Sequence, residues 1–302
     1  MSGMKRALDI LPILSMGLLF VLVDLSAFLV VGPFEAAGVV AFENPGDPFN
    51  LLFFFIVLLV FTIIILLIIK LRRKQALRMI FLGATTVLSV YVLYPILSLV
   101  VTDVYFCLGL SIGVAGLLLA ALMKKPEWYV IDSIAFFTAA GAIAMIGISL
   151  DIWIVIVLLA AMALYDAISV YKTKHMIDMA DSIIDLKLPV MFVIPKKRGY
   201  SMLKETKRLK EKLEEKEERE AFMLGVGDVV FPGILAVAAF HSLATDSFIM
   251  GLAVLAGTIV GFAVLIGYVV KGNPQAGLPL LCSGAIAGYV IAGFLLFGFP
   301  PL

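Results

Sequence analysis

The chain has 302 residues, of which 63% are hydrophobic, and its formal net charge at pH 7 is +1. Its mean hydropathy is +1.13, whereas soluble domains are closer to half apolar, so the composition excludes a water-soluble globular protein. A net charge this small gives no reason to expect a nucleic-acid partner. The two cysteines, each isolated within an apolar run, are not a disulfide framework. We therefore predict a polytopic protein embedded in a lipid bilayer.

Nine apolar stretches are long enough to cross a bilayer, since a spanning helix needs about 20 apolar residues. In chain order they cover residues 8–31, 50–70, 77–100, 104–123, 129–149, 151–172, 221–241, 247–270 and 277–298. They predict an all-α membrane protein with nine transmembrane helices. Six helices fall in an N-terminal segment (1–172) and three in a C-terminal segment (221–302), with a hydrophilic loop (173–220) between them.

The positive charges indicate which side of the membrane each loop occupies. With nine spans, every Lys and Arg outside residues 172–219 falls on the side of the N-terminus and of the large loop. They are Lys5, Arg6, Lys70, Arg72, Arg73, Lys74, Arg78, Lys124, Lys125 and Lys271. Cytoplasmic loops carry the excess of Lys and Arg, so the N-terminus and the loop are predicted to be cytoplasmic and the C-terminus external.

The large loop is predicted to have three parts. Residues 175–186 can continue the sixth helix along the membrane surface, and residues 186–195 are β-prone and bracketed by prolines. Residues 201–220 are dense in Lys and Glu, which is typical of a solvated helix.

Two aspartates lie inside predicted spans, Asp166 in the sixth and Asp228 in the seventh. A carboxylate in hydrocarbon is costly, and it usually has a function. Counted from the predicted cytoplasmic ends of their spans, both lie about 9–10 Å deep at 1.5 Å per residue. Adjacent antiparallel helices can then bring the two carboxyl groups together. Such a pair holds one proton, activates water as a base and stabilises an oxyanion as an acid.

Other functions must be weighed against this interpretation. Two intramembrane acids alone more often indicate a proton or ion relay, so a proton-coupled transporter or cation channel is the alternative. Asp24, in the first span, is level with neither aspartate and is predicted to make a polar contact between helices, while Asp132 lies near the cytoplasmic edge of the fifth span, within reach of water. His-Glu-x-x-His is absent, which excludes a zinc protease of that type. No cofactor or metal is implied.

Two motifs decide between these alternatives. Tyr165-Asp166 in one span and Gly225-Val226-Gly227-Asp228 in the next resemble the presenilin and signal peptide peptidase family of GxGD-type intramembrane aspartyl proteases. The nine spans and the long loop extend the resemblance, which is to a compact microbial presenilin homologue. It implies that Asp166 and Asp228 are catalytic and that Tyr165, Gly225, Val226 and Gly227 shape their site.

The family's third motif, Pro-Ala-Leu followed by Pro, falls at the start of the ninth span. Here that place reads Ala276-Gly277-Leu278-Pro279, so that only the leucine and the second proline match. The resemblance still implies that these four residues lie beside the two aspartates.

The resemblance also implies what the protein acts on. It predicts an intramembrane aspartic endopeptidase of the cell membrane, with single-span membrane proteins or signal-peptide-like segments as substrates, and it leaves a homo-oligomer open. The cytoplasmic N-terminus is similar to presenilin and favours substrates whose N-terminus is external. A substrate must unwind before cleavage, and a strand could hold it. The candidate strand consists of Val190, Met191, Phe192, Val193 and Ile194, a run that equally fits an apolar patch on the membrane surface.

Overall fold

A computed structural model describes residues 2–71, 73–170, 188–196, 199–202, 221–242, 246–270 and 275–301. Within these ranges the chain forms nine helices, and each overlaps one of the nine predicted spans. They are α1 (Ser2–Ala37), α2 (Phe49–Lys70), α3 (Lys74–Ser98), α4 (Val104–Lys124), α5 (Trp128–Gly147), α6 (Ile152–Ile168), α7 (Val226–Ser242), α8 (Ser247–Val270) and α9 (Gly277–Phe297).

One antiparallel hairpin accompanies the helices. Its strands are β1 (Met191–Pro195) and β2 (Ala221–Gly225), with Met191 opposite Gly225 and Pro195 opposite Ala221. The prediction of a helix from residue 221 was therefore wrong by five residues. Pairing with β1 overrides the apolar character of this stretch, and the poor helix propensity of Gly225 favours a boundary there.

Two other predicted elements lie outside the described residues. These are the surface helix at 175–186 and nearly all of the solvated helix at 201–220. The last residues of the predicted sixth span, 171 and 172, lie outside them as well.

Seven of the nine described helices are long and apolar enough to cross a membrane, so the protein is a multi-pass membrane protein. The other two, α6 and α7, have 17 residues each. At 1.5 Å per residue they are about 26 Å long, slightly less than a hydrocarbon core of about 30 Å. Nine spans and the orientation of the termini thus remain predictions. The two short helices are those that carry Asp166 and Asp228.

Helix α7 lies at the centre of the bundle. It contacts α1, α5, α6, α8 and α9, and every residue from Pro232 to Ala239 is buried. A helix that is apolar all round is expected in such a place. By contrast, α2 buries no residue. Because α7 is packed on all sides, the position of its first turn, which carries Asp228, is fixed relative to the surrounding helices.

Helices α8 and α9 approach each other closely enough for their backbones to touch. A methyl group at Gly257 would collide with the Gly284 carbonyl, and one at Gly261 would collide with the Leu280 carbonyl. Small residues allow this approach within membranes. Because Leu280 lies in the first turn of α9, the contact also fixes where α9 begins.

A buried acid packs between α1 and α7. Asp24 is 1% exposed, and neither carboxylate oxygen has a hydrogen-bond partner among the described residues. A Cβ atom at Gly233 of α7 would lie 2.5 Å from Asp24 Oδ1 and 2.7 Å from Ile143 Cδ1. Only glycine therefore fits at position 233.

We expect Gly233→Ala to lower the free energy of unfolding by about 1–3 kcal/mol, because a close-packed core has no room for the added methyl group. Thermal unfolding in detergent measures the loss. Adding Asp24→Ala should recover part of it, since Oδ1 is then absent. The control is Gly267→Ala, where a Cβ would meet nothing within 4 Å. An unchanged melting temperature for Gly233→Ala would contradict this account of the packing.

Candidate active site

The first turn of α9 holds Asp166. This aspartate lies near the end of α6, and its Oδ2 accepts a hydrogen bond from the Leu278 N–H at 3.2 Å. The backbone of Gly277 lies beside the same carboxyl group. The first N–H groups of a helix have no partner within the helix, and they favour an anion. Asp166 is thus positioned by the N-terminus of a different helix.

The residue that precedes α9 leaves these N–H groups available. Ala276 occupies the N-cap position with an extended backbone (φ −66°, ψ 129°), and no side chain caps the helix there. Ser, Thr, Asn or Asp at this position would accept a hydrogen bond from an N–H of the first turn. Alanine cannot, so Asp166 supplies the acceptor.

Asp228 reaches the same turn of α9 from the other side. It lies in the first turn of α7, and its carboxyl group lies beside the backbone of Gly225. Its Oδ1 lies 3.3 Å from the position that a Cβ on Gly277 would occupy. The two carboxyl groups interact electrostatically. The structure therefore brings Asp166 and Asp228 together at the start of α9.

Two glycines make room for the Asp228 carboxyl group. A Cβ at Gly225 would lie 3.1 Å from Asp228 Oδ2, and one at Gly277 would lie 3.3 Å from Oδ1. Both distances are shorter than ordinary carbon–oxygen contacts. A Cβ at Gly227 would meet only the Phe231 ring, at 3.7 Å. Gly225 and Gly277 therefore line opposite sides of this carboxyl group.

The other predicted site residues surround this point with one exception. Val226 begins α7, and its N–H donates to the Val190 carbonyl at 3.0 Å. Ala276 and Leu278 are buried, and Pro279 lies in the first turn of α9, where its missing N–H costs nothing. Tyr165 differs, since it is 51% exposed and no contact of its hydroxyl with either carboxyl group is seen in the described part of the chain. Its role stays a prediction.

The predicted strand forms and is held from outside the hairpin. Met191 to Pro195 make up β1, and Val190 precedes it. The Val193 N–H donates to Asp132 Oδ1 of α5 at 2.8 Å. Sequence reasoning placed Asp132 near water and missed this contact, because nothing local links positions 132 and 193.

Cys282 is a further neighbour, which sequence reasoning considered only as one of two cysteines that form no disulfide framework. It lies one helical turn beyond Leu278 on α9 and is 1% exposed. Its thiol lies near both Asp228 and Asp166. The four-residue spacing from Leu278 was the signal that could have placed it here. In the described ranges no cluster of three His, Cys, Asp or Glu residues could hold a metal ion.

Comparisons with known proteins agree on one family. The family model for signal-peptide peptidase, presenilin aspartyl protease matches residues 16–299. A solved presenilin family intramembrane aspartate protease, crystallised in space group P2, is 32% identical with a TM-score of 0.67, and the match covers 93% of this chain and 97% of that one. A second such structure, in space group C222, is 29% identical with a TM-score of 0.66, covering 94% and 98%. A search of curated proteins gave no match.

Proposed function

The chain belongs to the signal-peptide peptidase and presenilin aspartyl protease family, and we propose that it is an intramembrane aspartic endopeptidase that cleaves transmembrane segments of membrane proteins in the cell membrane. One observation carries the proposal. Asp166 and Asp228 arrive from different helices and meet at the first turn of α9. The family match favours a protease over the transporter or channel that two intramembrane acids alone would also allow.

In peptide hydrolysis, one carboxyl group would act as the general base and the other as the general acid. The ionised carboxylate takes a proton from water as the water oxygen bonds to the peptide carbonyl carbon. The protonated carboxyl group stabilises the developing oxyanion, and a proton then passes to the leaving nitrogen as the C–N bond breaks. Asp166 already accepts a hydrogen bond from the Leu278 N–H at the start of α9, and such a bond favours its charged form. We therefore assign Asp166 as the ionised partner at the start of the reaction and Asp228 as the protonated one.

The hairpin would hold the substrate as an additional strand. Opposite residues in an antiparallel ladder alternate between pairs that exchange two hydrogen bonds and pairs whose N–H and C=O groups point outward. The Val193 N–H points outward to Asp132, so Val193 and its partner Met223 form an outward-pointing pair. On each strand, therefore, only every second residue has an N–H and a C=O that point outward and could pair with a substrate.

The outer edge of β2 suits a substrate better than that of β1. On β1, Asp132 occupies the Val193 N–H, and Pro195 has no N–H. On β2, no partner for the outward N–H and C=O of Met223 is seen among the described residues. The next outward residue, Gly225, lies against Asp228. A peptide on β2 would thus lead to the carboxyl groups, and β1 would support β2 from behind.

Met223→Pro tests this edge. Proline removes the outward N–H and leaves the bonds between β1 and β2 in place, so we expect a fall in kcat/KM of about 3–10-fold, which corresponds to one lost hydrogen bond. Cleavage of a single-span substrate is the measurement, and Met223→Leu controls for the side chain. Phe222→Pro should cost more, because it removes an N–H that pairs with Ile194. Wild-type kinetics for Met223→Pro would rule out pairing at this edge.

Reconstitution with a defined substrate tests the proposed function. Purified protein and a single-span substrate are placed in liposomes, with the substrate N-terminus on either side, and mass spectrometry identifies the fragments. We expect cleavage within the span, preferentially for substrates whose N-terminus faces the side opposite the large loop, and no cleavage by Asp166→Asn. Proton or cation flux without any fragments would instead support a transporter or channel.

A further inference from the structure

Asp132 ties the hairpin to the helix bundle through one defined backbone group. It lies in the second turn of α5, and its Oδ1 accepts the N–H of Val193, which is the middle residue of β1, at 2.8 Å. The two residues are 61 positions apart in the chain. The contact is thus tertiary, and it acts on the strand directly behind β2.

Apolar packing alone fixes only part of the hairpin's position. Successive side chains of a strand point to opposite faces, and both faces of β1 are buried, with Phe192 at 0% and Val193 at 1% exposure. Val193 packs in a cluster with Ile131 and Ile134 of α5. A shift of two residues along the strand would again place apolar residues on both faces. The hydrogen bond from one particular N–H distinguishes the observed register from that alternative.

The same hydrogen bond closes an edge. An unpaired N–H on an edge strand can pair with another extended chain. Asp132 occupies the N–H of Val193, and Pro195, the next outward residue of β1, has none. Two of the three outward positions of β1 are therefore unable to donate to a substrate.

We propose that Asp132 is a positioning residue, which fixes the register of the hairpin and closes the outer edge of β1, so that a substrate pairs only with β2. The inference rests on the proposed protease function. Asp132 does not touch the reacting atoms. It acts through β1 and β2 on the place where an extended peptide meets Asp228.

The same corner of the molecule provides a matched control. Glu127, the residue before α5, is 9% exposed and accepts hydrogen bonds from Ser201 Oγ at 2.7 Å and from the Met202 N–H at 3.1 Å. It therefore holds the chain beyond β1 but leaves the edge of β1 untouched. Glu127→Ala and Asp132→Ala each remove a carboxylate that binds this segment, and only the second exposes the Val193 N–H.

The experiment compares wild type, Asp132→Ala, Asp132→Asn and Glu127→Ala in liposomes with one single-span substrate. Mass spectrometry maps the cleavage positions, and amide hydrogen exchange reports on Val193. In Asp132→Ala we expect exchange at Val193 to be about 10-fold faster, since the N–H has lost its carboxyl acceptor. Cleavage should spread to positions two residues away, because a register slip by two preserves the faces. Asp132→Asn keeps an acceptor oxygen and should retain the wild-type pattern.

Each result has a separate meaning. Glu127→Ala should keep the wild-type cleavage positions and speed exchange only near Met202. The inference is overturned if Asp132→Ala cuts at the wild-type positions alone, or if its Val193 amide exchanges as slowly as in wild type. If wild type makes no fragments, the proposed function fails, whereas the exchange at Val193 still decides whether Asp132 fixes the strand.

Discussion

Replacing Asp228 by Asn is expected to abolish peptide cleavage and to leave the folded structure intact. The amide has the size of the carboxyl group, so it fits in the space beside Gly225 and Gly277. It can neither protonate the leaving nitrogen nor share a proton with Asp166. Acid–base catalysis contributes typically 10²–10⁴-fold, so kcat should fall by at least about 10²-fold.

Asp166→Asn should give the same loss, and the double variant should be no worse than either single variant, because the two groups act as one unit. Fragment yield from a single-span substrate measures each loss, and thermal unfolding in detergent checks the fold. Asp24→Asn is the matched control, as it alters another intramembrane aspartate that packs against Gly233 of α7, away from the start of α9. Cleavage by Asp228→Asn at a tenth of the wild-type rate or more would contradict the proposed chemistry.

The sequence was sufficient for the helices because their signal is long and strong. A run of about 20 consecutive apolar residues is stable only in a membrane or in a large hydrophobic core. Each described helix overlaps such a predicted stretch. The two aspartates were found for a related reason, since an acid within such a stretch is rare. The long apolar run and the acid within it are both local signals, so they can be recognised without knowing which helices lie next to each other.

Residues 221–225 show where local signals fail. Ala221 to Gly225 are apolar enough to extend the seventh helix, yet they form β2. The deciding interaction is the ladder with β1, across a separation of more than 25 residues in the chain. Asp228 consequently lies in the first turn of α7 and not seven residues into a helix. A prediction from hydropathy alone has no means of weighing that long-range pairing.

The start of α9 was located correctly but understood differently. Ala276 and Gly277 depart from the family motif, which weakened the assignment of roles to these individual residues. In the structure the alanine leaves the first N–H groups of α9 free for Asp166, and the glycine gives Asp228 room. The effect of a side chain at position 276 or 277 depends on the two aspartates that α6 and α7 place beside it. Sequence alone does not contain that information in any local pattern.

Gly277→Val should therefore be among the most damaging substitutions outside the aspartates. A Cβ at this position would lie 3.3 Å from Asp228 Oδ1 and 3.6 Å from its Cγ. Valine adds two methyl groups beyond the Cβ, and in a helix its side chain is confined largely to one rotamer. The backbone of Gly277 also lies beside Asp166, next to the Leu278 N–H that donates to it. One substitution thus displaces Asp228 and disturbs the contact that holds Asp166.

Displacement of catalytic groups by about 1 Å can cost about 10²-fold in rate, so we expect kcat to fall by about that factor with a smaller change in KM. Gly277→Ala requires a shift of only a few tenths of an ångström, and alanine is the residue of the family motif at this place, so its loss should stay within about tenfold. The control is Gly267→Val on α8, where an added Cβ meets nothing within 4 Å. Equal rates for Gly277→Val and Gly277→Ala would mean that Asp228 does not need the space beside Gly277, and the close contact at the start of α9 would then have no part in catalysis.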